Sequence, residues 1–132
     1  MKHIHSDESI RKGMDGAAAF TVTLLNATTV AHLYHLKSTS YAQHMALGAL
    51  YEGLPCLVDG FVEAYQGKYG LIEGYPSATV ECGDTPIPFV ESLIGFVDQA
   101  RMSLPQDTEL MNIVDEIAAL ISSTAYKLKF LA

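Results

Sequence analysis

The sequence predicts an all-α fold, a four-helix bundle in which a long crossover joins the second helix to the third. Apolar residues recur at every third or fourth position through four long segments, which is the spacing of one face of an α-helix. Short breaks separate the first segment from the second and the third from the fourth, whereas a long Gly- and Pro-rich stretch separates the second from the third. At 132 residues with 49% hydrophobic side chains, the chain fits one domain with one core.

The first predicted helix begins at Asp15, which can cap it, and ends near Lys37. Residues 1–14 are polar, mixed in charge and without a sustained apolar period, so we expect a flexible N-terminal tail ahead of one helical domain over residues 15–132. Two apolar stripes on roughly opposite sides predict a bundle core on one side of this helix and a partner subunit on the other. The first stripe holds Phe20, Leu24, Ala27 and Ala31, and the second holds Val22, Leu25, Leu33 and Leu36.

A second helix is expected from Tyr41, after a polar break at residues 38–40. Ser40 followed three residues later by Gln43 matches a capping box. Pro55 removes a backbone hydrogen bond from the middle of this helix, so the helix either bends there or is divided into two. The apolar residues of the segment are Leu47, Leu50, Leu54, Leu57, Phe61 and Tyr65.

The Gly- and Pro-rich stretch covers residues 70–86. About 17 extended residues can span roughly 56 Å, enough to run back along a helix of about 40 Å, whereas adjacent antiparallel helices need only short loops. The third helix is expected from Pro88 to about Ser103, and the fourth from Pro105 or Asp107 to the C-terminus. Four helices with a long second connection form the ferritin-like layout.

Charge and cysteine content exclude several classes of protein. Fifteen acidic side chains against eight Lys and Arg give a net charge of -7, so direct nucleic-acid binding is not expected. Cys56 and Cys82 match no disulfide or metal motif, as is usual for reduced thiols in the cytosol.

The uncharged stretch over residues 16–36 is similar to a signal peptide, but acidic residues precede it and polar residues interrupt it. We therefore predict a cytoplasmic protein with no membrane partner.

A polar stripe runs along the second predicted helix, with His44, Gly48, Glu52, Asp59 and Glu63. His44 and Asp59 lie about 22 Å apart along a helix, so one metal ion cannot touch both within one chain. His32 and His35 end the first helix, and we expect them beside His44. A twofold dimer with antiparallel second helices would bring these histidines to Asp59 and Glu63 of the other chain. Two His and two carboxylates suit iron, manganese or zinc.

Residues 32–70 resemble the Dps family of mini-ferritins (DNA-binding proteins from starved cells). They resemble more closely a phage-encoded ferritin-like group, through the runs HLKSTSYAQH at residues 35–44 and EAYQGKYG at residues 63–70. In the Dps pattern two His, an Asp, a second Asp and a Glu form the ferroxidase centre. This sequence has His32, His44, Gly48, Asp59 and Glu63 at those positions. It departs from the pattern at Gly48, which has no carboxylate, and it lacks the lysine-rich Dps tail.

The resemblance implies a ferritin-like metal-binding protein with iron as the first choice, no organic cofactor, and ferroxidase as the enzyme activity. The expected ligands are His32, His44, Asp59 and Glu63 at a dimer interface, with His35 and Glu52 as weaker candidates. The alternative is a non-catalytic helical oligomer, a phage accessory or structural protein, in which the polar stripe only sets the dimer register. In both cases the expected partner is a second copy, in a homodimer or a larger homo-oligomer, in the host cytoplasm if phage-encoded.

Overall fold

The structure is a computed structural model that describes the backbone of residues 2–131 and the side chains of residues 16–131. The described chain is helical and contains no β-strand, so the predicted all-α fold is confirmed. Its α-helices are α1 (Lys2–Lys37), α2 (Tyr41–Tyr69), α3 (Pro86–Ala100) and α4 (Thr108–Phe130), and a short 3₁₀ turn covers Arg101–Ser103.

The connection between α2 and α3 runs back along α1. Near its middle, the side-chain amide of Asn26 donates a hydrogen bond to the carbonyl of Thr79 at 3.1 Å. Near its end, the backbone N–H of Gly83 donates to the hydroxyl of Tyr34 at 2.8 Å, and Lys37 donates to the Gly83 carbonyl. The crossover therefore starts at the end of α2 and reaches the bend between α1 and α2, where α3 begins.

Local chemistry sets the two ends of α2. Ser40 caps the helix as predicted, because its hydroxyl accepts a hydrogen bond from the N–H of Gln43 at 3.3 Å. The helix then continues unbroken through Pro55, so it is one helix and not two. It ends at Gly70, whose φ of +94° is a conformation that favours glycine, and whose N–H donates to the Gln66 carbonyl at 3.0 Å.

Several helix ends differ from the prediction. The α1 backbone is helical from Lys2, whereas we expected the helix to start at Asp15. Met1 and the side chains of residues 2–15 lie outside the described residues. The flexible tail expected over residues 1–14 and the domain boundary at residue 15 therefore stay predictions. Helix α3 begins at Pro86 rather than Pro88, because a proline in the first helical turn loses no hydrogen bond.

The core lies between the four helices, and the first α1 stripe faces it as predicted. The ring of Phe20 packs against Phe61 of α2 at 5.0 Å between centroids and against Phe96 of α3 at 6.1 Å. Three residues of the second α1 stripe are exposed instead: Leu25, Leu33 and Leu36. The buried core residues of the other helices include Leu47, Leu50, Leu54, Val58, Val90, Leu93, Val97, Leu110, Val114, Ile117 and Ile121.

Two segments, Gly16–Lys37 and Tyr41–Tyr69, are long and apolar enough to cross a membrane. Core helices of soluble proteins often have the same length and composition. Both segments contribute buried side chains to the bundle core, as the interpretation of residues 16–36 as a soluble helix requires.

Candidate functional site

Four rings lie together beside the bend between α1 and α2. The ring of His35 stacks on His44 with 3.6 Å between centroids, and His32 stacks on Tyr51 at 4.0 Å. The Tyr51 ring also meets the His35 ring edge-on at 5.0 Å. We call His32, His35, His44 and Tyr51 the histidine cluster. The structure therefore brings the three predicted histidines together, as expected from their positions next to the bend.

Two reciprocal hydrogen bonds hold the central pair of the cluster. The Nδ1 atom of His35 lies 2.6 Å from the carbonyl oxygen of His44, and the Nδ1 atom of His44 lies 3.0 Å from the carbonyl oxygen of His35. A carbonyl can only accept, so each Nδ1 must carry a proton and donate it. The pair thus ties the last turn of α1 to the first turn of α2, and each Nε2 is the ring nitrogen that holds the lone pair in the neutral form.

Gly48 makes room for this pair. A Cβ atom at position 48 would lie 3.3 Å from both Cε1 and Nδ1 of His35, which is closer than ordinary carbon contacts. The position is buried. Sequence reasoning treated Gly48 only as the place of a missing carboxylate, whereas in the structure it is the surface on which the His35 imidazole packs.

The predicted carboxylates lie elsewhere on α2. Asp59 and Glu63 are exposed and stand at a groove between α1 and α2, and the crossover residue Tyr75 also lines it. Glu52 is exposed between this groove and the histidine cluster. We call this feature the α1–α2 groove; its lining residues are Thr21, Val22, Leu25, Val58, Asp59, Val62, Glu63 and Tyr75.

The predicted metal ligands do not form a site within one chain. Among the described residues, no three His, Cys, Asp or Glu side chains are grouped so that they could hold a metal ion. The predicted histidines lie at the bend, His32 near the end of α1 and His44 near the start of α2, whereas Asp59 and Glu63 lie fifteen residues or more beyond His44 on α2. The predicted ligand roles of these residues therefore require a second chain, and they stay predictions.

A charged contact joins the end of α2 to the start of α4. Lys68 and the hydroxyl of Tyr69 each donate a hydrogen bond of 2.6 Å to Asp107, and Lys68 also pairs with Glu109. The hydrogen bond from Lys68 is the main cause that lowers the pKa of the Asp107 carboxyl, and the bond from Tyr69 adds to it. The same bonds raise the pKa values of Lys68 and Tyr69. We call these four residues the α2–α4 clamp.

Sequence reasoning missed Tyr75 and the clamp for the same reason. Each depends on contacts between segments far apart in the chain: Tyr75 reaches the groove because the crossover runs over α1, and Lys68 meets Asp107 because α4 starts where α2 ends. No local periodicity or motif indicates either contact. The charged residues at the two helix ends were visible in the sequence, but their pairing was not.

Comparison with known proteins gives a family but no named activity. A protein of Enterobacteria phage T4, described as an uncharacterized 14.6 kDa protein in the mobD-ri intergenic region, is 24% identical over 106 residues, which cover 80% of this chain and 81% of that protein. No solved structure matches the chain. The predicted relation to phage proteins is thus supported, whereas neither description names a ferritin-like or Dps family. Residues 35–128 match the family of unknown function DUF5856, and the chain belongs to this family.

Proposed function

We propose that the protein is a non-catalytic helical homo-oligomer, a phage accessory or structural protein whose copies associate through one side of the α1–α2 hairpin. The observation that carries the proposal is the exposure of large apolar side chains near the bend: Leu36 is 66% exposed, Tyr41 77% and Met45 53%. Exposed apolar patches on soluble proteins mark interaction surfaces. We call this side the hairpin face; it includes Leu25, His32, Leu33, Leu36, Tyr41, His44, Met45, Glu52, Asp59 and Glu63.

The distribution of charge along the hairpin face supports a second copy as the partner. The half near the bend carries His32 and His44, while the other half carries Asp59 and Glu63. In an antiparallel twofold pair, the imidazole half of each chain faces the carboxylate half of the other. Such complementarity favours this orientation over a parallel one, in which the carboxylates would face each other.

The layout of the bundle supports assigning it to the ferritin-like type. Two antiparallel helical hairpins joined by a long crossover along the bundle are characteristic of that layout. Proteins of this type commonly place functional side chains on facing helices, which is the location of the histidine cluster between α1 and α2.

The oligomer proposal is tested by measuring particle mass with light scattering or analytical ultracentrifugation. The wild-type protein should be a dimer or larger, and the variant Leu36→Ser/Met45→Ser should shift towards the monomer because it removes apolar area from the hairpin face. Met102→Ser is the matched control, since Met102 is 85% exposed but lies in the 3₁₀ turn after α3. A wild-type monomer throughout the micromolar range would contradict the proposal.

Metal binding between subunits is the second candidate function. It is supported by the hydrogen bond from Nδ1 of His44 to the carbonyl oxygen of His35. Histidines that bind metals through Nε2 usually donate Nδ1–H to a carbonyl or a carboxylate. The ligands would be His32 and His44 of one chain with Asp59 and Glu63 of the other, with His35 and Glu52 as weaker candidates. Iron, manganese and zinc all suit this set.

Mixing two defective variants tests this second candidate. His44→Ala and Asp59→Ala should each abolish binding of added zinc or iron(II), because each removes one half of the site. Unfolding and refolding the two variants together should restore about a quarter of the wild-type sites, since a mixed dimer has one doubly defective and one intact site. Metal analysis after gel filtration measures the recovery. Binding that survives both single substitutions would contradict an intersubunit site.

A further inference from the structure

We propose that the α1–α2 groove receives the Tyr41 side chain of a second copy. This inference rests on the proposed homo-oligomer and identifies the residue that enters each groove. The groove lies on the hairpin face and is open to solvent, and Tyr41 is the most exposed aromatic residue on the same face. In a twofold pair each chain supplies one groove and one Tyr41, so two identical contacts form.

The chemistry of the groove matches a tyrosine. Its walls are mostly apolar, through Val22, Leu25 and Val62, while Asp59 and Glu63 are exposed beside them. A tyrosine has an apolar ring and a hydroxyl that needs a hydrogen-bond partner when it is buried. The ring would replace water against the apolar walls, and the hydroxyl would donate to one of the carboxylates.

Charge complementarity selects a second copy as the occupant. His44 lies one helical turn after Tyr41, so a Tyr41 side chain in the groove carries the imidazole of its own chain towards the same carboxylates. No Lys or Arg of the same chain lines the groove in the described part of the protein. The partner's His44 would therefore bring an imidazole, the type of side chain that gains positive charge most readily near neutral pH, to a groove that has only negative charge of its own.

The spacing along α2 fixes the register of the pair. Tyr41 and Glu63 lie about 33 Å apart along the helix, and Glu52 is midway between them. When each Tyr41 lies opposite the partner's Glu63, antiparallel pairing brings Glu52 next to the partner's Glu52 at the twofold axis. This is one like-charge contact, whereas a parallel pair would also oppose Asp59 to Asp59 and Glu63 to Glu63. Position 52 is exposed, as this register requires.

The first test compares dimer dissociation constants by analytical ultracentrifugation. Tyr41→Ser should raise the dissociation constant by about tenfold or more, as expected for an aromatic anchor at an interface. Tyr41→Phe should have a smaller effect because it keeps the ring and loses only the hydroxyl. The matched control is Tyr126→Ser, because Tyr126 is 54% exposed on α4. Circular dichroism confirms that each variant is folded.

The second test traps the register with a disulfide. Glu52→Cys in a Cys56→Ser/Cys82→Ser background should form a covalent dimer on mild oxidation, whereas Ser122→Cys on the exposed side of α4 should not. A dimer with unchanged affinity in Tyr41→Ser would overturn this inference and leave the proposed homo-oligomer intact. A dimer that cross-links at position 122 but not at 52 would also overturn it. A wild-type monomer would overturn both proposals.

Discussion

At the scale of single residues, the contact between Gly48 and His35 links the backbone of α2 to the end of α1. The imidazole of His35 packs on a position without a side chain and is held there by the carbonyl of His44. A glycine inside a helix normally costs about 0.5–1 kcal/mol relative to alanine. Gly48 therefore lowers the intrinsic stability of α2, and it allows the close contact with the His35 ring.

Substituting glycines in two settings tests that contact. Gly95→Ala on α3 adds a methyl group into open space, and it should stabilise the protein by about 0.5–1 kcal/mol. Gly48→Ala should gain less or lose stability, because its methyl group would push the His35 ring away from its hydrogen bond. Urea unfolding measures both free energies. Equal gains for the two variants would show that the His35 ring is not confined.

The two stacked histidines should be energetically coupled. In a double-mutant cycle, His35→Ala and His44→Ala should be non-additive by about 0.5–1.5 kcal/mol in the free energy of unfolding, because either substitution alone removes the ring stack. Each substitution also removes one hydrogen bond, from its own Nδ1 to a backbone carbonyl that alanine retains. Tyr126→Ala on α4 combined with His35→Ala is the control cycle and should be additive. Additivity in both cycles would mean that the rings stack without stabilising each other.

At the scale of helices, the α2–α4 clamp joins one hairpin to the other through side chains at the helix ends. The bond from Lys68 lowers the pKa of Asp107 below its usual value of 3.8. A carboxyl with a lowered pKa in the folded state adds stability above its unfolded pKa, and this stability is lost as the pH falls through the folded pKa. The part of the clamp's stability that depends on the ionised Asp107 carboxyl is therefore lost in acid.

The variant Asp107→Asn tests this pH dependence. Its free energy of unfolding should fall less steeply than that of the wild type as the pH drops below about 4, because the carboxyl that must be protonated is gone. Thermal unfolding between pH 7 and pH 2 measures the difference. Glu116→Gln is the control, an exposed carboxylate on the same helix. Parallel curves for wild type and Asp107→Asn would argue against a clamp that stabilises the fold.

The helices show which parts of the structure can be predicted from sequence. Periodicity identified all four helices, and the chemistry of Ser40 identified the start of α2, because both signals are local. The effect of Pro55 on α2 was ambiguous from the sequence. The lost backbone hydrogen bond destabilises the helix, but the core packing that offsets this loss is not visible in the sequence. The position of Tyr75 and the partners of Lys68 depend on how the hairpins dock, so no local pattern contains them.

At the scale of the whole molecule, the predicted site residues are divided between the bend and the middle of α2. The meeting of the three histidines was predictable because they flank one tight bend, whereas the role proposed for the groove involves a second copy, which no pattern within one chain displays. The net charge of -7 opposes association at long range, so in the proposed oligomer the apolar residues of the hairpin face would supply the attraction.

Association should appear as a concentration-dependent thermal stability. Binding that occurs only in the folded state raises the melting temperature by mass action, so the wild-type Tm should rise with protein concentration. The variant Leu36→Ser/Tyr41→Ser should show a Tm that is independent of concentration, because it removes two exposed apolar residues of the hairpin face. Differential scanning calorimetry over a hundredfold range of concentration distinguishes the two. A flat wild-type curve would indicate that folding and association are not linked.

The crossover has a consequence for how the chain can be divided. Its residues are largely exposed, and it joins two hairpins, α1–α2 and α3–α4, whose helices are each connected locally. A single cut in this segment would leave two fragments, each with a complete helical hairpin and an apolar side that only the other covers. The bundle therefore has the architecture of a split protein, in which two separately expressed halves would reassemble by fragment complementation.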